Sequence, residues 1–89
     1  MSTSAYTVVF AKSARKELEK LTPVLAGRIL TKIEALIRQP RPAGCQKLRG
    51  NNSLWRIRIG DHRFLYAIDD AGRVIDISAI GDRKDVYRS

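Results

Sequence analysis

One cysteine, Cys45, and one histidine, His62, are all the thiol and imidazole ligands this 89-residue chain can offer a metal. A lone cysteine cannot close an intramolecular disulfide, which excludes a disulfide-stapled secreted scaffold. It lies in the loop "RPAGCQKLRG", where nothing marks it as a nucleophile, and it reads as a bystander thiol. A lone histidine without a constellation of carboxylates makes a poor metal site, so neither a metal nor another cofactor is expected. Long apolar runs are missing as well. The opening "MSTSAYTVVFAKSARK" holds only a short one before basic residues arrive, unlike a signal peptide. Nothing approaches the ~18 apolar residues of a membrane span, and the expected location is the cytoplasm. Acidic residues are scarce: nine Asp+Glu face seventeen Lys+Arg, leaving a net charge of +8. A surplus of that size on so small a chain points to an anionic partner, whether nucleic acid, an acidic protein or a membrane surface.

Repeats, linkers and low-complexity segments are absent too. The length allows one domain over residues 1–89, with one core that buries roughly 60–65% of the unfolded surface. A hydrophobic content of 44% is ordinary for a globular protein. "AYTVVF" (5–10) reads as a strand. "AKSARKELEKL" then sets Ala14, Leu18 and Leu21 on one helical face among charges. Thr22-Pro23 ends that helix and opens a second, because proline disfavours a helical residue before it yet suits a first turn. The second helix carries Leu25, Ile29, Ile33, Leu36 and Ile37, and "RQPRPAG" stops it. A basic loop from Pro40 to Asn52 follows, with a short extended piece at Lys47–Arg49, and then three strands. The expected fold is α+β in the order β-α-α-β-β-β: a mostly antiparallel sheet with the helical hairpin packed on one face.

The stretch "LWRIRIGDHRFLY" (54–66) fixes its own geometry. With Gly60-Asp61 as a two-residue turn, Ile59 meets His62, Ile57 meets Phe64 and Trp55 meets Tyr66, all on the core side. Arg58 then lies across from Arg63 on the other side, with Arg56 two residues along the same strand. A slip of one residue would expose Trp55 and Ile57, so the register is well specified. Opposed like charges are destabilising, and a solvated basic face is the bland explanation. In that account Asp76, expected opposite Leu65 across a 69–72 turn, offsets part of the charge. A phosphate-binding face explains the pattern better, since the planar fork of arginine matches phosphate oxygens in pairs. Lys47 and Arg49 lie just before the hairpin, and Arg83, Lys84, Tyr87 and Arg88 follow the last strand. Lys12, Arg15, Lys16 and Lys20 add a basic stripe to the first helix. On RNA, such a face can stabilise charge on a phosphate attacked by its neighbouring 2′-hydroxyl. Tyr87, and less readily His62 at the turn, can move the protons.

"KLRG" (47–50), "LWRIRIGDHRFLYAID" (54–69) and "AIGDRKDVYR" (79–88), in this element order, together resemble the RelE/ParE superfamily of bacterial toxins. The RelE branch implies a cytotoxic, ribosome-dependent endoribonuclease that cleaves messenger RNA in the A site of the 70S ribosome. The cut runs through the 2′-hydroxyl and leaves a cyclic phosphate and a 5′-hydroxyl. The resemblance also implies a cognate, RelB-like antitoxin with an acidic toxin-binding segment. Operator DNA would be bound only through that complex, and no membrane is involved. Carried over by position, the catalytic set is Arg56, Arg58, Arg63, Arg83 and Tyr87. The RNA- and ribosome-binding set is Lys12, Arg15, Lys16, Lys20, Lys47, Arg49, Lys84 and Arg88. Well-known members carry lysines where Arg56 and Arg58 stand. Arginine keeps its proton and is a poor general base, so Tyr87, His62, a ribosomal group or water must take that role. Two other functions stay open: a ParE-like DNA gyrase poison acting by protein contact, and a non-catalytic RNA-binding regulator.

Overall fold

The computed structural model describes residues 5–48, 50 and 53–82. Strand β1 (Thr7–Phe10) leads into helices α1 (Lys12–Lys20) and α2 (Pro23–Ala35). Strands β2 (Gln46–Lys47), β3 (Trp55–Ile59), β4 (His62–Asp69) and β5 (Val74–Asp82) complete an α+β fold. The sheet order is β1-β5-β4-β3-β2, antiparallel throughout except for the parallel pair β1 and β5. No helix among the described residues is long and apolar enough to cross a membrane.

The helical hairpin forms where Thr22-Pro23 directs it. The Thr22 hydroxyl accepts from the Leu25 amide at 3.3 Å, and Pro23 occupies the first turn, where its missing N–H costs nothing. Ala14 of α1, Ile29 and Ile33 of α2, and Leu36 just beyond it are buried, with Leu18, Leu21 and Leu25 packed beside them. They cover one sheet face, formed by Ile57, Ile59, Phe64, Tyr66, Ile75, Ile77 and Ile80. The β3–β4 hairpin has the register read from its alternation: Ile59↔His62, Arg58↔Arg63, Ile57↔Phe64 and Trp55↔Tyr66.

The last strand departs from expectation. Asp69 pairs with Val74, so the turn occupies residues 70–73 rather than 69–72, with Arg73 in the left-handed region at φ 55°. The Asp69 carboxylate accepts from the Gly72 amide at 3.0 Å and closes the turn one residue later than the sequence suggested. Asp76 consequently sits opposite Ala67, not Leu65. A bulge follows, since Tyr66 pairs with Ile77 but Leu65 pairs with Ala79. The extra residue, Ser78, reverses the parity of β5, which is how Ile77 and Ile80 both reach the core.

At the end of the sheet away from the β3–β4 turn, the segment after α2 is tied down at several points. The Tyr6 amide donates to the Ile37 carbonyl oxygen at 2.8 Å, and the Tyr66 hydroxyl to that of Pro40 at 2.8 Å. Arg41 grips Asp70 with both Nη atoms, at 2.9 and 3.3 Å, while the Tyr6 hydroxyl donates to the same carboxylate at 2.6 Å. These bonds, Arg41 first and Tyr6 second, hold the Asp70 carboxyl below its usual pKa, and the same contact with Asp70 pushes the Tyr6 phenol up. The Arg41 guanidinium also lies 5.4 Å from the centre of the Trp55 ring. This clamp delivers the chain to β2.

Candidate functional site

Strict alternation on β3 and β4 sends Trp55, Ile57 and Ile59 into the core and therefore Arg56 and Arg58 to the opposite face. Arg58 and Arg63 are direct register partners, so two guanidiniums start from opposed positions and a third, Arg56, lies two residues along β3. The face is less open than the sequence alone suggested. Arg58 is exposed and Arg56 half-buried, whereas Arg63 is only 6% exposed and its neighbour Leu65 5%. Strand neighbours explain the gradient. Arg63 lies on central β4, flanked by Arg58 and Gly81; Arg58 lies beyond the reach of β2, whose pairing with β3 stops at Gln46↔Arg56. Arg58 is thus the arginine most accessible to a large ligand.

Asp76 does not offset this charge as the sequence reading allowed. Its partner Ala67 stands four residues from Arg63 on β4, roughly 13 Å along an extended strand. His62 pairs with Ile59 at the turn and, by alternation, belongs to the face away from Arg63. The proton-handling role considered for it therefore has no support from the geometry.

Lys47 is also turned away. It pairs with Trp55, and its Nζ lies 5.5 Å from the centre of that ring, on the side opposite Arg56. The basic stripe of α1 lies on the helical layer, across the sheet from the arginines. Arg15 is 3.9 Å from Glu19 and Lys20 is 3.3 Å from Glu17, so two of its cations have acidic neighbours on their own helix. Lys12 and Lys16 are exposed. Arg49, Arg83, Lys84, Tyr87 and Arg88 lie outside the described residues. Among those described, no group of three or more His, Cys, Asp or Glu side chains gathers to hold a metal.

One residue on the arginine face was not singled out in the sequence. Gln46 is the register partner of Arg56, and its Oε1 accepts a hydrogen bond from the Arg56 Nη2. No periodicity could reveal it, because β2 is two residues long and its pairing joins segments ten residues apart.

A helical hairpin on a five-stranded, mostly antiparallel sheet is the fold of a class of small toxins. The family model for the ParE toxin of type II toxin–antitoxin systems matches residues 8–87. Toxin RelG of Mycobacterium tuberculosis is 36% identical over 84 residues, covering 93% of this chain and 97% of that protein. Among solved structures, the isolated E. coli RelE toxin superposes with a TM-score of 0.79 at 28% identity, covering 93% of this chain and 92% of that one. The archaeal RelE–RelB complex from Pyrococcus horikoshii matches with a TM-score of 0.79 at 29% identity, covering 96% of this chain and 99% of that one. The chain belongs to the RelE/ParE superfamily and is a toxin of a type II toxin–antitoxin pair.

Proposed function

We propose that this toxin is a ribosome-dependent endoribonuclease that cuts messenger RNA in the A site of the 70S ribosome and halts translation in the cytoplasm. The observation that carries this reading is the direct opposition of Arg58 and Arg63, with Arg56 two residues along the same strand. Opposed like charges destabilise a sheet, and an anion held between two arginines offsets that repulsion. In this reading Arg58 and Arg63 stabilise the pentavalent phosphorane as the 2′-hydroxyl attacks. Arg56 orients the phosphate, while Arg83 and Tyr87, taken from the family pattern, assist the leaving 5′-oxygen. Arginines do not remove protons at neutral pH, so the 2′-hydroxyl proton passes to a ribosomal group or water as the bond to the 5′-oxygen breaks, and alignment by the ribosome supplies much of the rate. Free RNA is then a poor substrate. Lys12 and Lys16 on the helical layer suit ribosomal RNA, and a RelB-like antitoxin with an acidic segment would neutralise the arginine face. Relatives solved as RelE–RelB complexes support an antitoxin partner of that kind.

The test is primer extension on messenger RNA in a purified translation system, comparing wild type with Arg58→Ala, Arg63→Ala and Tyr87→Phe. Cuts within A-site codons that fade in all three variants are expected, together with negligible cleavage of a bare oligonucleotide. Intact messenger would remove the nuclease reading. A second reading, poisoning of DNA gyrase by protein contact, is favoured by the ParE family model. It predicts cleaved DNA in a gyrase assay and no sensitivity to Tyr87→Phe.

A further inference from the structure

Strand β2 has little to do with the core. It consists of two exposed residues, Gln46 and Lys47, at the edge of the sheet. Much nevertheless holds it in place. The Leu48 amide donates to the Leu54 carbonyl oxygen at 2.9 Å, Lys47 lies over Trp55, and the Arg41–Asp70 clamp fixes the chain just before it. An outcome of this anchoring is a polar contact on the arginine face, from the Arg56 Nη2 to the Gln46 Oε1. An arginine side chain on a sheet surface samples many rotamers, and fixing it before the ligand arrives removes that cost from binding. The chemistry of residue 46 fits this role. A carboxylate there would hold the guanidinium more strongly but cancel the charge that attracts phosphate. An amide oxygen fixes the fork and leaves the charge intact.

We infer that Gln46 is a positioning residue, which holds the Arg56 guanidinium ready for an RNA phosphate. Its consequence for cleavage rests on the nuclease reading above; its geometry does not. The experiment has two arms, using Gln46→Met, which keeps the length and removes the acceptor, and Gln46→Glu, which keeps an acceptor. The first arm is 15N NMR of the arginine side chains. Rotation of the Arg56 guanidinium should be slow in wild type and Gln46→Glu, and at least about tenfold faster in Gln46→Met. Equal rotation in wild type and Gln46→Met overturns the inference.

The second arm is single-turnover cleavage on ribosomes programmed with a short messenger. Gln46→Met should slow the rate at saturating toxin about tenfold, with the half-saturating concentration little changed. In an Arg56→Ala background the same change should do nothing further. A loss of equal size in both backgrounds also overturns the inference. Gln46→Glu should remain slow on the ribosome despite a held Arg56, because its charge opposes the phosphate. If wild type leaves the messenger intact, the nuclease reading falls and Gln46 is judged by the NMR arm alone.

Discussion

Tyr66 is fully buried, and burial first, then the neighbouring Cys45, pushes its phenol above the ordinary value of 10.0. The folded-state pKa is the higher of the two. The stabilisation is therefore complete below pH ~10 and drains away as pH rises through the folded value, because only the unfolded chain ionises. Urea unfolding should show stability falling above pH ~10 in wild type and much less so in Tyr66→Phe. At neutral pH the same substitution should cost about 1 kcal/mol, the worth of the lost bond to Pro40. Arg58 behaves in the opposite way. It is exposed and directly opposes Arg63, so Arg58→Ala should raise stability by a few tenths of a kcal/mol, roughly, while weakening RNA binding. A melt and an RNA titration on the same sample check both signs. A parallel fall in stability would contradict the view that this arginine is kept for its ligand.

The β3–β4 hairpin shows what an element's sequence can reveal. Trp55, Ile57 and Ile59 alternate with charged Arg56 and Arg58 and the turn is Gly-Asp, so register and faces followed directly. Gly60 has φ 62°, and a Cβ there would meet nothing within 4 Å, so the cost of alanine is conformational alone. Gly60→Ala should therefore lower stability by about 1 kcal/mol in urea unfolding. Strand β5 was less legible, for two physical reasons. A side chain, Asp69, chose the turn, and a non-glycine residue, Arg73, took the left-handed position that sequence habit assigns to glycine. The three-residue spacing of Ile77 and Ile80 was the trace of the bulge. The Asp70 clamp was invisible too, since Tyr6, Arg41 and Asp70 meet only in three dimensions. Asp70 has its pKa depressed by folding, so its contribution is present above the ordinary carboxylate value and lost as pH falls through the folded one. Denaturant titrations at decreasing pH should find a flatter acid limb in Asp70→Asn than in wild type.

At the scale of the whole molecule, charge was the signal that sequence carried best, and its distribution the part it carried least. Among the described residues cations stand on both sides of the sheet, Arg56, Arg58 and Arg63 on one and the cations of α1 on the other. Two-sided charge suits a partner that surrounds the toxin, such as a ribosomal cavity, better than a single flat ligand. RNA affinity should fall by orders of magnitude between low and moderate salt if about six phosphates are contacted, and Arg58→Ala should reduce the slope by about one. Filter binding across a salt series measures it, and a flat profile would remove RNA from the list of partners.

The sheet order has a consequence for how the toxin is made. The strand neighbour of β1 is β5, which is synthesised after every other strand among the described residues. The two close a loop that spans most of the chain, a pairing that is slow to form. A nascent polypeptide therefore carries its first strand unmatched until residues 74–77 have emerged. The hairpin that carries Arg56, Arg58 and Arg63 is thus synthesised before the pairing that closes the sheet can form.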